Sequence, residues 1–560
     1  MRDILSIYKA WKDKAVEDTD LVKELSKMEG HPELIEDAFY RELEFGTGGL
    51  RGVLGAGTNR MNIYVIRKAT QGFANYLHKH FDNPSVAISY DSRIKSDLFA
   101  KTAAEVFAAN DIKVHIYKEL MPTPNLSYAV RELKCSGGIM VTASHNPSKY
   151  NGYKVYGSDG CQITTEAAKE ILNEIDKINP FIDVQFCLFD IALETGLISY
   201  IDDELFDRFI KRVEQESVLF GDEVNKDLKI IYSPLNGTGL KPVTTILKKN
   251  GYKVFVVPEQ EMPDGHFPTC PYPNPEIREA MELGIKYAQK QNADLFIATD
   301  PDCDRVGTAV KNNKTGEYVL ISGNQMGVLL FDYICSQRIK HQKMPANPVA
   351  IKTIVTTDMA FPIAKKYGVT IKEVLTGFKF IGEQILFLEQ KHEEKRYIFG
   401  FEESYGYLSG SYVRDKDAVN GVFLIAEMFT YYKSRGISLL ERLDELYKEY
   451  GYYSAYLNSY AFEGSAGAKK MQEIVEKFRQ GKVNFVNYHI SEVIDYLKGI
   501  DDLPKSNVVK IIFKEGHSVV IRPSGTEPKI KIYFSITGSS LEDNKKVYDS
   551  LLEIINKEVQ

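Results

Sequence analysis

Several features of common protein classes are missing from this chain of 560 residues. It has only six cysteines and no CxxC pair, so the sequence predicts neither a disulfide framework nor a zinc site and fits a reducing cytoplasm. The least charged long stretch, residues 319–331, is short and contains Ser, Asn and Gln, which excludes a membrane span. The amino terminus is too charged for the apolar region of a secretory signal. No tract of low complexity occurs.

An excess of basic charge is missing too. The chain carries 70 Lys and Arg against 77 Asp and Glu, a formal net charge of −7. This balance argues against a protein that coats nucleic acid or a membrane surface, since both favour basic faces. A small anionic substrate stays possible, because the local field of a site can oppose the net charge. We therefore expect a small-molecule partner, no nucleic acid and no membrane. The chain is expected to be a monomer or a homodimer, a choice that the sequence leaves open.

The composition that remains is that of an ordinary globular protein. Apolar residues make up 44% and charged residues 26% of the chain. At about 150 residues per domain, the length indicates three or four domains.

A repeat organises most of the chain. Three segments follow the order strand, polar turn, helix and strand, and they end near Lys118, Glu259 and Leu375. Each is followed by another helix, a short apolar run and an abrupt polar loop. Ligands bind outside the carboxyl ends of parallel strands, so these three loops are candidates for one site, although each alone could be a plain surface turn.

The two ends of the chain differ from the repeats. The last hundred residues group strands before a helix and predict an α+β domain. Residues 452–467 are rich in aromatic residues and in small residues, and they are predicted to be the linker before that domain. A helical lead-in, residues 1–44, precedes the first repeat, and its role stays open.

The first polar loop, residues 142–154, offers a nucleophile. Ser144 follows a strand, where it is expected to be exposed, and His145 is adjacent. A serine hydroxyl needs a base, a metal or preorganised donors to react. Adjacency does not make a catalytic triad, because triads are assembled in space. The alternative is a Ser/Asn/Pro turn that caps the next helix.

The second polar loop, DPDCDR, predicts a metal site. Asp300, Asp302 and Asp304 are spaced by two, and in an extended segment this spacing points all three side chains to one side. Three hard oxygen ligands suit Mg²⁺. An EF-hand is excluded, because Arg305 stands at its glycine position and Lys311 at its final glutamate position. The alternative is an acidic turn neutralised by Arg305.

Two further loops offer polar groups. FGFEESYGY supplies Glu402, Glu403 and Ser404, which suit hydrogen bonds to sugar hydroxyls, or else form a helix amino terminus. RPSGTEP suits a phosphate cradle, or else is an ordinary turn; its donors are Arg522, Ser524, Gly525 and Thr526.

A glycine-rich segment near the amino terminus, EFGTGGLRG, looks like a dinucleotide-binding loop. Arg51 stands where the third glycine of that motif belongs, and no convincing strand precedes the segment. A Rossmann domain is therefore not favoured.

Taken together and in this order, the motifs resemble those of the α-D-phosphohexomutase superfamily, and within it the phosphoglucomutase/phosphomannomutase family. SHNP is similar to the family's phosphoserine loop, DPDCDR to its metal loop, FEES to its sugar-binding loop and RPSGTEP to its phosphate-binding loop. The resemblance covers nearly the whole chain. It implies an α/β fold of three similar βαβ-type mixed-sheet domains plus a C-terminal α+β domain around a central cleft, with boundaries at 1–200, 201–318, 319–450 and 451–560.

The resemblance also implies roles for single residues. Ser144 would carry the phosphoryl group, and Mg²⁺ would be held by Asp300, Asp302, Asp304 and an oxygen of phospho-Ser144. The groups implied near the reaction centre are His145, Lys154, Arg51 and Arg305. The groups implied to bind substrate are Thr376, Gly377 and Lys379, from a TGFKFIG segment similar to the family's TGWKFFG, together with Glu402, Ser404, Lys416, Arg522, Ser524, Gly525 and Thr526.

The reaction implied is an intramolecular phosphoryl transfer of the isomerase class. It would interconvert glucose 1-phosphate and glucose 6-phosphate, with glucose 1,6-bisphosphate as intermediate and activator. Mannose or pentose phosphates are the nearest alternative substrates. A Mg²⁺-dependent sugar phosphatase that uses the same serine, and a non-catalytic sugar-phosphate sensor, are the alternatives of a different kind.

Overall fold

The computed structural model describes residues 3–46, 48–462, 464–500, 503–523 and 529–559. The chain divides into two compact units. Unit 1 contains Met1–Ile321, Phe378–Tyr397 and Gly406–Ser434. Unit 2 contains Ser322–Gly377, Ile398–Tyr405 and Arg435–Gln560.

The first α/β segment of unit 1 is built on a seven-stranded mixed sheet. Its helices are α1 (Ile4–Lys14), α2 (Thr19–Lys27), α3 (Pro32–Phe39), α4 (Ile63–His80), α5 (Ser96–Ala109), α6 (Thr123–Glu132), α7 (Thr165–Ile175) and α8 (Phe189–Glu194). Its strands are β1 (Phe45–Gly46), β2 (Gly49–Val53), β3 (Ser85–Tyr90), β4 (Lys113–Ile116), β5 (Gly137–Val141), β6 (Tyr150–Gly157) and β7 (Ile198–Tyr200). The strand order is β1-β2-β6-β5-β3-β4-β7, with β3, β4, β5 and β7 parallel and β6 antiparallel to both β2 and β5.

The amino-terminal helices α1–α3 are part of this segment's core. Trp11, the single tryptophan of the chain, is buried with its ring centroid 5.7 Å from that of Phe39 and 5.6 Å from that of Tyr64 on α4. Such edge-on aromatic contacts add to the free energy gained by burying the rings. The lead-in is therefore anchored to the first α/β segment by apolar packing.

The second α/β segment repeats the pattern with five strands. It contains α9 (Asp203–Glu214), α10 (Leu240–Lys249), α11 (Pro258–Glu261), α12 (Arg278–Lys290), β8 (Lys229–Ser233), β9 (Lys253–Val256), β10 (Leu295–Thr299), β11 (Val306–Lys311) and β12 (Tyr318–Ile321). The order is β12-β11-β10-β8-β9. Strands β8, β9 and β10 are parallel, whereas β11 is antiparallel to both of its neighbours.

The third α/β segment is shared between the units. It contains α13 (Gly323–Lys340), β13 (Val349–Thr353), α14 (Ala360–Tyr367), β14 (Thr370–Val374), α15 (Phe378–Gln390), a 3-10 turn (Glu394–Arg396), β15 (Tyr397–Phe401), β16 (Tyr407–Leu408), α16 (Ala418–Lys433) and α17 (Leu439–Tyr450). In unit 2, β13 pairs in parallel with β14 and lies between β14 and β15. The helices α15 and α16 belong to unit 1.

The C-terminal segment of unit 2 is α+β. It contains β17 (Tyr452–Ala461), α18 (Gly464–Arg479), β18 (Ile490–Asp495), a 3-10 turn (Tyr496–Lys498), β19 (Val509–Phe513), β20 (Ser518–Pro523), β21 (Lys529–Gly538) and α19 (Leu541–Val559). The sheet order is β17-β21-β20-β19-β18, and all four pairings are antiparallel. The expected architecture of three similar α/β segments followed by an α+β segment is confirmed.

The predicted linker is wrong over most of its length. Tyr452–Ala461 is the edge strand β17, paired with β21 along all ten residues. Its side chains alternate between half-buried and exposed from Ser454 onwards. Aromatic and small residues that alternate in this way suit an edge strand with one wet face.

No helix in the described part of the chain combines the length and the apolar character needed to cross a membrane.

Candidate active site

The serine of the first polar loop lies just beyond the buried strand β5. Ser144 has a backbone φ of +53°, in the left-handed region that residues other than glycine rarely adopt. Its hydroxyl donates to Asp300 Oδ2 at 3.0 Å, and its Oγ lies 3.2 Å from Nδ1 of His145. The expectation of an exposed serine is wrong: only 4% of Ser144 is exposed, because the carboxylate loop contacts it.

A buried arginine maintains the shape of the serine loop. The guanidinium of Arg93 donates to the carbonyl oxygen of Ser144 at 2.5 Å, to those of Pro147 and Tyr150 at 3.0 Å each, and to that of Asn146. Buried carbonyl groups without partners are costly, so one cation that satisfies four of them strongly favours this loop conformation.

Asp91 also stabilises the serine loop, through hydrogen bonds that involve Thr142. Its Oδ2 accepts a hydrogen bond from Thr142 Oγ1 at 2.6 Å, and Thr142 Oγ1 in turn accepts from the backbone N–H of Ser144 at 2.8 Å. Burial raises the pKa of Asp91, and the charge of Arg93 opposes this rise. The left-handed backbone of Ser144 is thus held on its carbonyl side by Arg93 and on its N–H side by Thr142.

The three aspartates of the second loop converge through a tight turn. The expected extended segment is wrong: Cys303 has a φ of +50°, and its N–H donates to the carbonyl oxygen of Asp300 at 2.9 Å. The chain between β10 and β11 therefore folds back on itself. One oxygen each from Asp300, Asp302 and Asp304 lies within 4.8 Å of the others.

These oxygens fit a hard cation. All three aspartates are buried, and among the described residues Asp302 Oδ1 and Asp304 Oδ1 are buried atoms that lack a hydrogen-bond partner. Burial raises the pKa of Asp300 well above its usual value, and the charges of Asp302 and Asp304 raise it further. Clustered buried carboxylates are costly without a cation, and an all-oxygen set suits Mg²⁺. The three aspartates could therefore hold a metal ion.

Two lysines flank the carboxylates. Lys154 Nζ, on β6, lies 2.8 Å from Asp302 Oδ2 and 3.5 Å from Asp304 Oδ2, while Lys416 Nζ lies 2.8 Å from Asp304 Oδ2 and 3.3 Å from Asp415 Oδ1. Burial acts to lower the pKa of Lys154, but Asp302 and Asp304 outweigh it and raise that pKa above its usual value. Lys154 is therefore protonated at neutral pH.

The remaining cations lie around His145. Arg51, on β2, is paired in register with Gly152 of β6, and Arg305 donates to Glu276 at 2.5 Å. Burial lowers the pKa of His145 well below its usual value, and the positive charges of Arg305 and Arg51 lower it further. The imidazole beside Ser144 is therefore neutral at pH 7.

In unit 2, the sugar-loop candidates contact the TGFK segment. Glu402 Oε1 accepts from the backbone N–H of Gly377 at 3.1 Å, and Gly377 has a φ of +121°, which favours glycine. Among the described residues, Thr376 Oγ1 is a buried atom without a hydrogen-bond partner. Glu402 is buried and Ser404 half-buried. The structure thus brings Thr376, Gly377, Glu402 and Ser404 into two adjoining loops.

Glu403 anchors its loop to β13 and the turn that follows. Its Oε2 accepts from Thr353 Oγ1 and Thr356 Oγ1, at 3.1 Å each, and its backbone N–H donates to Thr356 Oγ1 at 3.2 Å. These contacts fix the backbone between Glu402 and Ser404.

Arg522 lies near the end of β20. Tyr533 on β21 shares a hydrogen bond with Arg522. Burial raises the pKa of Tyr533, as does the negative charge of Glu403, and the charge of Arg522 opposes them. Ser524, Gly525 and Thr526, the other predicted phosphate contacts, lie outside the described residues.

Lys379 is the one predicted substrate contact of the TGFK segment that falls in unit 1. It lies in the first turn of α15, where its backbone carbonyl accepts from Cys161 Sγ at 3.3 Å.

Four family models match the chain in order. They describe the phosphoglucomutase/phosphomannomutase α/β/α domains I, II and III, over residues 42–180, 207–316 and 322–450, and the C-terminal domain, over residues 462–546. The chain belongs to the phosphoglucomutase/phosphomannomutase family. It is therefore an enzyme of the isomerase class, an intramolecular phosphotransferase, and the resemblance seen in the four motifs is confirmed.

Known proteins of the family are similar to this chain over nearly its whole length. A phosphoglucomutase of Staphylococcus saprophyticus is 36% identical over 524 residues, which are 91% of this chain and 93% of that protein. A phosphoglucomutase of Staphylococcus aureus is 38% identical over 523 residues, 90% of this chain and 92% of that one. Among solved structures, the open form of the Paramecium phosphoglucomutase parafusin has a TM-score of 0.71 at 19% identity, covering 92% of this chain and 95% of that one, and so shares the fold.

Sequence reasoning missed three groups that support the site. These are Arg93, Asp91 and Thr123, whose hydroxyl donates to Asp302 Oδ2 at 3.1 Å. The sequence could have indicated two of them. Asp91 and Arg93 come just after the first strand of the first repeat, at the sheet edge where the other polar loops lie. Their partners are about fifty residues further along the chain, which no local pattern reveals.

Replacing Arg93 with lysine should damage the serine loop. A single ammonium group cannot donate to four carbonyl oxygens, so we expect a loss of about 2–4 kcal/mol in the free energy of unfolding and about 10²-fold in kcat. Denaturant titration and steady-state kinetics measure both. Arg278→Lys, on the exposed side of α12, is the matched control and should change neither. Wild-type kcat in Arg93→Lys would show that the loop does not depend on the guanidinium fork.

Proposed function

We propose that this family member interconverts glucose 1-phosphate and glucose 6-phosphate by passing a phosphoryl group to and from Ser144. The observation that carries the proposal is the hydrogen bond from the Ser144 hydroxyl into the carboxylate cluster of Asp300, Asp302 and Asp304. The relatives named phosphoglucomutase, at 36% and 38% identity over most of the chain, support glucose as the sugar.

The proposed cycle starts from phospho-Ser144. A free hydroxyl of the sugar monophosphate attacks the phosphorus, the bond from phosphorus to the serine oxygen breaks, and a bound glucose 1,6-bisphosphate results. The bisphosphate turns round, and its other phosphoryl group returns to Ser144. Such transfers need positioning and charge neutralisation more than covalent help.

The residues of unit 1 would carry the chemistry. Lys154 holds a proton beside the carboxylates, so it is placed to act as the acid toward the departing oxygen and as the base after that proton has left. Neutral His145, whose Nδ1 lies 3.2 Å from Ser144 Oγ, can share a hydrogen bond with that oxygen without adding charge. Arg51, Arg305 and Lys416 would neutralise the phosphoryl oxygens. Asp300, Asp302, Asp304 and an oxygen of phospho-Ser144 would hold Mg²⁺, which when bound withdraws charge from the transferring group.

The loops of unit 2 would recognise the substrate. Lys379 is a further proposed substrate contact. Glu402 and Ser404 suit sugar hydroxyls, and Thr376 and Gly377 adjoin them. Arg522 suits the phosphate that does not react, with Ser524, Gly525 and Thr526 as further donors.

Further parts of the proposal concern the chain as a whole. We place it in the cytoplasm, because its six cysteines are free and five of them are buried. We propose that it acts as a monomer or homodimer on small sugar phosphates, without nucleic acid. We keep the four-domain division at 1–200, 201–318, 319–450 and 451–560 as a proposal.

A substrate comparison tests the activity. Coupled assays with glucose 1-, mannose 1- and ribose 1-phosphate should give a kcat/KM at least about tenfold higher for glucose 1-phosphate, since a site built to bind a hydroxyl group discriminates against its misplacement. A preference for either other sugar would contradict glucose as the substrate. Release of inorganic phosphate without an isomerised product would instead identify a phosphatase.

A further inference from the structure

A fully buried lysine lies in the middle of unit 2, outside the groups assigned to the reaction. The side chain of Lys352, on β13, is 0% exposed. Its ammonium donates to Glu373 Oε1 at 2.8 Å, to Asp358 Oδ1 at 3.1 Å and to the carbonyl oxygen of Thr356 at 3.1 Å. A charge so deeply buried persists only with partners of this kind.

On one side, these contacts lead to the sugar loop. Lys352 donates to the carbonyl oxygen of Thr356, and the residue that follows Lys352 in the sequence is Thr353. These are the two threonines whose hydroxyl groups donate to Glu403. Their hydroxyl oxygens also lie 2.8 Å apart. The position of the backbone between Glu402 and Ser404 thus depends on the turn that Lys352 fixes.

On the other side, the same carboxylates lead to the C-terminal sheet. Glu373 Oε1 also accepts from Lys510 on β19 at 3.3 Å, and Asp358 Oδ2 accepts from Ser535 on β21 at 3.3 Å. Strand β20, which carries Arg522, lies between β19 and β21. Two lysines and two carboxylates therefore form a charge-balanced network between the two strands that flank β20 and the turn that contacts the sugar loop.

We propose that Lys352 is a positioning residue that sets the distance between the sugar contacts Glu402 and Ser404 and the phosphate contact Arg522. A sugar phosphate engages both ends at once, and a fixed span between two contacts raises the affinity for a ligand of matching length. Inorganic phosphate binds only at the phosphate contact, so its affinity does not depend on the distance between the sugar contacts and the phosphate contact. The proposal rests on the substrate roles given to these residues under the proposed function.

The test uses variants that remove the contacts between the network and the C-terminal sheet. Lys510→Met and Ser535→Ala leave Lys352 and its threonines in place, and Lys352→Met removes the centre. Lys366→Met is the control, because Lys366 forms an exposed ion pair with Glu449, each side chain 41% exposed, in the same unit. The measurements are the KM and kcat for glucose 1-phosphate, the competitive inhibition constant of inorganic phosphate, and the Tm of each full-length variant.

For Lys510→Met and Lys352→Met we expect the KM to rise about tenfold, with a smaller rise for Ser535→Ala. The kcat and the inhibition constant of phosphate should stay within twofold of wild type. A purely structural lysine predicts the opposite: a lower Tm with an unchanged KM, which would overturn the proposal, as would a parallel loss of phosphate affinity. If Lys352→Met does not fold, Lys510→Met and Ser535→Ala decide.

The proposed function can be wrong while this inference is right. In that case the wild type prefers mannose 1-phosphate or ribose 1-phosphate, and the same variants are compared with that substrate. An unchanged KM for the preferred substrate in all three variants then counts against Lys352 alone.

Discussion

Ser144→Ala is expected to lower the turnover of glucose 1-phosphate by about 10⁴-fold or more, because removal of the group proposed to carry the phosphoryl leaves only binding and electrostatic contributions. The fold should stay intact. Alanine loses the hydrogen bond to Asp300 Oδ2, but the loop keeps the four carbonyl contacts of Arg93 and the N–H contact to Thr142. The far-ultraviolet circular dichroism of the variant should match that of wild type.

The intact mass of the protein tests the role of Ser144 more directly than its turnover does. Wild type incubated with glucose 1,6-bisphosphate should gain the mass of one phosphoryl group, and Ser144→Ala should gain none. Ser199→Ala is the matched control, since Ser199 lies in the same unit on β7 and bonds to His115 and Val114. Phosphorylation of the Ser144→Ala chain to the wild-type level would refute the role of this serine.

Asp300→Asn should separate stability from activity. The substitution removes one of three buried like charges, whose repulsion together with burial raises the pKa of Asp300. The asparagine oxygen can still accept from the backbone N–H groups of Asp304 and Arg305, as Asp300 Oδ1 does at 3.1 and 3.0 Å. Without added metal the Tm should therefore equal or exceed that of wild type. We expect kcat to fall about 10³-fold, because a proposed ligand of the cation is lost.

Thermal shifts with MgCl₂ check the cause. Wild type should gain about 2.7 kcal/mol in the free energy of unfolding when Mg²⁺ is present at 100 times its Kd, and Asp300→Asn should gain much less at the same concentration. Asp294→Asn is the control, since Asp294 pairs with Lys433 on the surface of the same unit. An equal Mg²⁺ shift in Asp300→Asn and wild type would place the cation elsewhere.

The fold was predictable where its signals are local. The first repeat was recognisable from the apolar run of β3, the helical period of α5 and the second apolar run of β4. The linker prediction was wrong because Tyr452–Ala461 has a strand partner, β21, that lies about seventy residues later. Edge pairing of that kind is decided by tertiary contacts and not by the local pattern.

The site was predictable where chemistry is concentrated in a few neighbouring residues. The three aspartates were correctly grouped, although a turn and not an extended segment brings them together. Arg93 and Lys352 were missed because each is a single charged residue, the first just after strand β3 and the second within β13, and their partners lie elsewhere in the chain. Burial of a charge is recognised only when the groups that neutralise it are known.

The division of unit 1 along the chain has a consequence during synthesis. Ser144, Lys154 and the three aspartates all precede Ile321, but Lys416 belongs to the last segment of the same unit, Gly406–Ser434. At a translation rate of about 5–20 residues per second, Lys416 follows Asp304 from the ribosome by roughly ten seconds. Over that interval the nascent carboxylate cluster has Lys154 but lacks Lys416. A divalent cation bound there, as proposed, would therefore neutralise the carboxylates during the interval before Lys416 is made.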